Sequence, residues 1–468
     1  MQVRCYESLQ AAAFLREQVN ALNGASPCPD PFSTFEFLEN YLRHNEDHPQ
    51  GRGLRLWFLA AFDEHGLAGY MVLKQVLHKV LGMPARKLDF LVTHNADRPQ
   101  LMARPEQTLA VSEAFYNYLL KRRREWSFLE FRQQDAASTL FPPPEGVNLK
   151  GYWIREWPTL DNGTIPISWD SLKDYFKSFS KKFRSNTSRQ MRSLMAVGKL
   201  EFISSSDPHT TPALFELYRC IEPRSWKSRT DVAISRHPHW VEYYQGLLDP
   251  HQPMRLSIHI LLLDGVPIAG LITGAFQRGL YALHIVYDNS LSRLGPGSAI
   301  LMMGMRQAIE GRYAFFNLLS GFGYYKVRWQ AQMTKTRNVQ FYKMGSAFFW
   351  RRVFGDLKRL LFPASVQPDS VLFNPLRREA LDQEGEPAQE TVNRPRLSLA
   401  DQEKIKDLLS QIRKSPGEFL SSTQLAEAMP FTTQRPGKTN EIARSALPPI
   451  LSIACADKNP VASELKCV

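Results

Sequence analysis

Cysteine is scarce in this chain. Its 468 residues hold five, Cys5, Cys28, Cys220, Cys455 and Cys467. The number is odd and no two stand at a Cys-x-x-Cys or Cys/His ligand spacing, which argues against a structural metal site and a disulfide framework and for a reducing, cytoplasmic setting. Long apolar runs are also lacking: no stretch approaches the eighteen or so residues that span a bilayer. The opening MQVRCYESLQAAAFLREQV carries Glu7 and Glu17 and no small-residue cleavage site, so it reads as an amphipathic first helix and not as a signal peptide. Acidic residues are in deficit. Against 58 Lys and Arg stand 46 Asp and Glu, and the net charge of +12 favours polyanionic company such as a nucleotide cofactor, nucleic acid or an anionic membrane. What is present is the makings of folded protein, 43% hydrophobic and 11% aromatic, in a length that asks for two cores and a tail.

The stretch from Leu280 to Lys326 organises the rest. Tyr281, Leu283, Ile285 and Tyr287 alternate as on one face of a strand, with His284 between them. Gly295, Pro296 and Gly297 then precede Ser298, and Ile300, Leu301, Met303, Gly304 and Ile309 recur at helical spacing. Strand, glycine turn and helix form an anion-binding arrangement: glycines let the backbone approach, and free N–H groups at the helix start point at a phosphate. A second apolar run, Tyr313 to Leu319, reads as the next strand, followed by Ser320-Gly321 and then Tyr324, Tyr325 and Lys326.

Upstream, Leu54 to Phe62, a turn at Asp63 to Gly66, and Leu67 to Val76 form a predicted hairpin. A helical pattern at Val111 to Leu120 and a strand at Trp126 to Phe131 follow. Leu256 to Leu263, Asp264-Gly265 and Val266 to Ala275 repeat that hairpin, including an Ala-Gly pair at Ala68-Gly69 and at Ala269-Gly270. A duplicated unit follows as the expectation. Between the hairpins, Phe183, Thr187, Met191 and Leu194 share a helical face while Arg184, Arg189 and Arg192 project elsewhere, as a solvated basic face or as an electropositive wall for an anionic substrate. Trp226 is a core residue or part of an acceptor pocket. Residues 347–362 make a basic amphipathic helix with Trp350, Val353, Phe354, Leu357 and Leu361 on one stripe; it packs on its own domain or lies on an anionic bilayer at the inner membrane face. From Pro375 the composition turns to charged and turn residues, with one helical pattern at Leu399 to Ile412, and reads as a mostly disordered tail.

The order strand, Pro296-Gly297, helix, Gly311, Phe316 to Leu319, Gly321 and Tyr325-Lys326 resembles the CelD-like or BioF-like acetyltransferase family of the GNAT superfamily. The resemblance covers Trp169 to Trp329 well, the first 160 or so residues loosely and the last 90 or so not at all. It implies an α+β protein of two tandem GNAT-like domains, mixed and largely antiparallel sheets flanked by helices, at 1–165 and 166–374, with a flexible tail at 375–468. It implies acyl transfer from acetyl-CoA or another acyl-CoA to the amine of a sugar, polyamine or envelope or exopolysaccharide precursor. Arg293, Gly295, Gly297 and Ser298 would then hold the cofactor, and Arg184, Arg192 and Trp226 the acceptor. His284 would be the base, Tyr325 the acid for the departing thiolate, and Lys326 the holder of a phosphate or carboxylate. The chain departs from the family's usual pattern at Arg293, which stands two residues before Gly295, and at Asn317, Phe322 and Gly323, where acidic residues are common. Those departures keep open a Fem-like aminoacyl transfer from charged tRNA, which the basic charge would suit, and a non-catalytic GNAT-fold component of a polysaccharide system.

Overall fold

The structure is a computed structural model that describes residues 1–44, 54–80, 83–91, 98–229, 233–321, 324–361 and 397–430. The first half runs β1 (Gln2–Tyr6), α1 (Arg16–Gly24), α2 (Phe35–His44), β2 (Arg55–Asp63), β3 (Gly66–Val80), β4 (Met83–Phe90), β5 (Met102–Ala103), α3 (Thr108–Lys121), β6 (Phe128–Gln134) and β7 (Tyr152–Pro158). The second runs β8 (Asn162–Pro166), α4 (Leu172–Lys177), α5 (Lys181–Val197), β9 (Leu200–Ser205), α6 (Thr211–Arg219), α7 (Pro238–Leu247), β10 (Arg255–Leu263), β11 (Val266–Phe276), β12 (Gly279–Tyr287), α8 (Pro296–Glu310), β13 (Phe315–Ser320), α9 (Tyr324–Arg328), β14 (Gln332–Thr334) and β15 (Arg337–Lys343). α10 (Ala347–Leu361), α11 (Leu399–Ile412), β16 (Glu418–Leu420) and α12 (Ser422–Ala428) complete it.

These elements build two mixed sheets, ordered β1-β2-β3-β4-β6-β15-β7, with β5 beside β3, and β14-β8-β13-β12-β11-β10-β9-β16. The series β1-β2-β3-β4-β6 and β9-β10-β11-β12-β13 have one topology, antiparallel until a parallel last pair that a helix connects, α3 in one and α8 in the other. The hairpins match to the register: Ala61 faces Gly69 and Leu261 faces Ala269, and a bulge follows each. The Ala-Gly pairs of the sequence are therefore one residue out of step, since Gly69 corresponds to Ala269. That step fits the packing, because a side chain at Gly69 would collide with Val111 of α3 and one at Gly270 with Tyr218 of α6.

Each sheet buries one face against its crossover helix. Val111, Phe115, Tyr116 and Leu119 of α3 meet Trp57, Leu73 and Phe131, while Ile300, Leu301 and Met303 of α8 meet Leu271 and Phe316. The opposite faces share a core between the domains. There α2 packs on α7, with Phe37 and Tyr41 edge-on to Tyr243 and the Asn40 amide donating to the Tyr243 carbonyl at 2.9 Å.

Three expectations change. The domains do not follow the linear boundaries 1–165 and 166–374: β8 pairs with β13 of the second sheet, and β15 crosses back to pair with β6 and β7 of the first, carrying α10 with it. Within the expected flexible tail, residues 397–430 are folded onto the second domain. Ile405, Leu409 and Ile412 bury one stripe of α11 in the shared core, Lys404 and Arg413 pair with Glu216 and Glu201, and β16 extends the second sheet beside β9. The short apolar stripe was legible; its docking partner was not. The opening segment is not one amphipathic helix, since Gln2–Tyr6 forms β1 beside β2 and α1 begins only at Arg16. Among the described cysteines, Cys5 and Cys220 are free.

Candidate active site

The site begins where the second sheet splits. β12 and β13 run parallel for three pairs, Gly279 with Phe315, Leu280 with Phe316 and Tyr281 with Asn317, and then part. β12 continues beside β11 to Tyr287. β13 turns away at Leu319, whose φ of +59° is left-handed. The turn is held from inside: Asn317 Oδ1 accepts the Leu319 N–H at 2.8 Å and an Asn162 amide hydrogen at 3.2 Å, and Lys326 Nζ donates to the Leu319 carbonyl at 2.6 Å. Splitting leaves one backbone edge of β12 from Ala282 to Tyr287 outside the β12–β13 ladder, where an extended amide-bearing chain can pair.

Past the end of β12, Asp288 takes the Ser290 N–H and hydroxyl and an Arg224 guanidinium at 2.7 Å, so the loop is pinned to the turn after α6. Gly295 then adopts φ +68°, a conformation that costs any residue with a Cβ, and begins α8. Pro296 has no N–H to orphan; Gly297 and Ser298, at the first turn, have N–H groups with no carbonyl four residues back in the helix. α5 lies alongside this loop and α8. Its Gln190 comes within 3.0 Å of where a Gly295 side chain would be, and its Arg184 and Arg192 are half-buried, Arg184 Nε lacking a hydrogen-bond partner among the described residues. Arg293 is exposed on the loop itself. Free N–H donors and the helix dipole are thus exposed at this turn, with the basic helix α5 packed alongside it. Gly297 has a second reason to be glycine, because a Cβ there would come within 2.9 Å of the Tyr287 ring.

The remaining expected residues fare differently. His284 is buried against α6 and α7, its Nδ1 2.5 Å from the Tyr218 hydroxyl and 3.9 Å from Glu222. Burial pushes the Tyr218 phenol well up, so it keeps its proton and shares a hydrogen bond with Nδ1 whose direction follows the His284 tautomer. The expectation of a base open to the thioester is corrected to a packed, hydrogen-bonded ring beneath the fork. Glu222 is fully engaged by the N–H groups of Ile234 and Ser235 and the Ser235 hydroxyl, and burial draws Lys227 beside it down to about 7. Lys326 is 2% exposed and turned into the strand end, so its expected role of holding a phosphate or carboxylate is likewise corrected. Both Tyr325 and Lys326 stand on a helix, α9, where a strand end was expected; Tyr325 is 40% exposed. Trp226 is exposed on a 3-10 turn, with Lys227 Nζ over its ring, and does not line the cavity described next. Phe322 and Gly323 lie outside the described residues.

Sequence reasoning missed what the first domain contributes. A cavity of about 550 Å³ opens between the domains at the fork, where Tyr281 and Asn317 meet Asp30, Arg98, Asp135 and Arg278. Asp30 is held by the Phe32 N–H and the Ser33 hydroxyl, and Asp135 pairs with Arg98 at 3.3 Å. No spacing in the sequence links residues that far apart.

Residues 181–327 match the acetyltransferase (GNAT) domain family, and the protein is an acyltransferase enzyme of that fold. Among curated proteins none matches the chain. Solved structures with similar folds include FemX, 12% identical with a TM-score of 0.48, covering 77% of this chain and 100% of that one. A tandem GNAT protein from the clavulanic acid biosynthesis pathway is 8% identical with a TM-score of 0.41, over 74% of this chain and 100% of its own. A conserved protein of unknown function from Bacteroides thetaiotaomicron is 10% identical with a TM-score of 0.46, over 73% and 100%.

Proposed function

We propose that the protein transfers an acyl group, in the simplest case acetyl, from acyl-CoA to the amine of a sugar, polyamine or envelope-precursor acceptor. The observation that carries the reading is the parting of β12 from β13 directly upstream of the Gly295 helix start. Gly297 and Ser298 would hold the donor's phosphates, with Arg293 and the α5 arginines supplying charge. When bound, CoA supplies the thioester whose carbonyl the acceptor attacks. Six residues of strand, about 20 Å, separate the Tyr281 fork from the end of β12, a span that suits a donor whose phosphates and reacting carbon are joined by a long flexible arm.

The acceptor would enter through the interdomain cavity. Asn317 replaces the acidic residue common in this fold, and its oxygen is spent on Leu319 and Asn162; the carboxylates that could receive a cationic amine are Asp30 and Asp135 of the first domain. His284 acts through Tyr218 as a positioning residue, and Tyr325 is the hydroxyl left to protonate the thiolate. Tyr325→Phe should lower turnover roughly a hundredfold.

Ser298→Glu tests the donor site with the fold preserved, because a carboxylate suits a helix N-terminus but repels a phosphate there. Isothermal titration with acetyl-CoA should show binding to the parent and none to the variant. Equal affinity would remove the phosphate assignment, and melting stabilised by charged tRNA but not by acetyl-CoA would favour aminoacyl transfer in its place.

A further inference from the structure

α10 is attached to the first sheet the wrong way round for a helix that serves only packing. Its polar side does the anchoring: Asp356 takes Arg155 of β7 in a two-point contact, at 2.7 and 3.2 Å, and is also reached by Arg352. One aromatic, Phe349, meets Trp153 edge-on at 5.5 Å. The apolar stripe faces solvent. Trp350, Phe354, Leu357 and Leu361 are 49, 61, 46 and 62% exposed, and at spacings of four, three and four they form one line along the helix. Met344, in the turn that leads into α10, is exposed as well.

The charge beside that stripe is of one sign. From Lys343 to Leu361 the chain has five basic residues and one acidic, and the acidic one, Asp356, is already paired with Arg155. Arg351 and Lys358 are exposed on the helix. At the foot of α10, Lys343 donates to the carbonyls of Arg123 and Trp126, and Arg86 donates to the carbonyl of Arg124, which brings the exposed Arg86, Arg123 and Arg124 to the same edge of the first domain. We propose that this edge docks on an anionic phospholipid surface, with Trp350, Phe354, Leu357 and Leu361 in the acyl boundary and the cations at the headgroups. A second copy of the chain is the less suited occupant, since pairing like faces would bring the two basic edges together.

Co-sedimentation of the full chain with phosphatidylcholine vesicles, and with vesicles containing a quarter phosphatidylglycerol, tests this. Binding is expected to the anionic vesicles and to weaken as salt rises. Each cation near the surface contributes roughly fivefold, so Arg351→Gln with Lys358→Gln should weaken it about twenty-five-fold. Phe354→Glu with Leu357→Glu changes exposed side chains only; it should abolish vesicle binding and leave the melting temperature unchanged. Parent protein that stays in the supernatant with both vesicle types would overturn the proposal. So would unchanged vesicle binding by the Phe354→Glu, Leu357→Glu protein, or a solution dimer that these two substitutions dissolve, which would assign the face to a second copy.

Discussion

The two domains share a strand order and differ at the fork. In the second, the parallel contact of β12 and β13 involves Gly279, Tyr281, Phe315 and Asn317, without a charge, and the way beyond it leads to Gly295. In the first, β4 and β6 also meet over three parallel pairs, but ions lace the strands together. Lys87 bonds to Asp89 at 2.9 Å and to Glu130, and Arg132 reaches Asp89 at 2.7 Å. The connection from β4 to α3 has no glycine, and Pro105 and Glu106 stand at its end, where an acidic residue disfavours an anion. The same topology therefore carries a glycine helix start with free N–H groups in one copy and an ion-paired interior in the other. Fold alone does not make the site; the turn chemistry and the residues at the split do.

The comparison can be broken most severely through the element that only the second sheet carries. Truncation after residue 396 removes α11, β16 and α12, and with them the burial of Ile405, Leu409 and Ile412 in the shared core, which should cost on the order of 5 kcal/mol, read by urea denaturation. An unchanged midpoint would show that these elements do not stabilise the domain. Next is the laced fork. Lys87→Met leaves Asp89 and Glu130 buried together without their shared cation, and about 3–5 kcal/mol should be lost. If the first domain is a scaffold, turnover per folded molecule stays as in the parent; a fall in turnover at unchanged stability would mean that its fork does chemistry.

A third test uses a single register position, at which the first hairpin has Leu59 opposite Met71 and the second has His259 opposite Leu271. His259 is buried among Ser204, Thr273 and Gln307, and burial draws it down to about 4. The unfolded chain takes up a proton near 6.5 and the folded one does not until about 4. Stability should therefore fall by roughly 3 kcal/mol as pH drops through that window. His259→Leu, which copies the first domain, should flatten that part of the pH profile, and a slope identical to the parent's would place the titration elsewhere. The smallest effect concerns Lys326→Met. It removes a charged hydrogen bond to the bent end of β13 and should cost about 1.5–3 kcal/mol. The apparent Michaelis constants should change little, whereas a large rise for one substrate at unchanged stability would restore the anion-holding role.

Some of this was legible without coordinates. The strand through Tyr281 to Tyr287, the glycine turn and the helix after it are local, written in period-two alternation, in a glycine that must take positive φ and in helical spacing, and a short segment settles each of them. The duplication was visible for the same reason, though only register showed that Gly69 corresponds to Ala269. The buried ends of His284 and Lys326 were not legible. A histidine in an apolar strand looks the same whether its ring meets a substrate or Tyr218, and a lysine after a glycine looks the same whether it meets a phosphate or the carbonyl of Leu319.

By itself, then, the sequence determined the two hairpins, their repetition in two like units and the strand, glycine turn and helix that follow the second, because hydrogen bonding and steric preference act over a few residues. Tertiary structure alone decided that β15 and α10 return to the first sheet, that α11 docks where no partner was evident, that Asp30 and Asp135 face Asn317 across the cavity, and that the apolar stripe of α10 points outward. Those outcomes depend on which faces compete for burial among segments hundreds of residues apart, and periodicity marks a face as apolar without saying what will cover it.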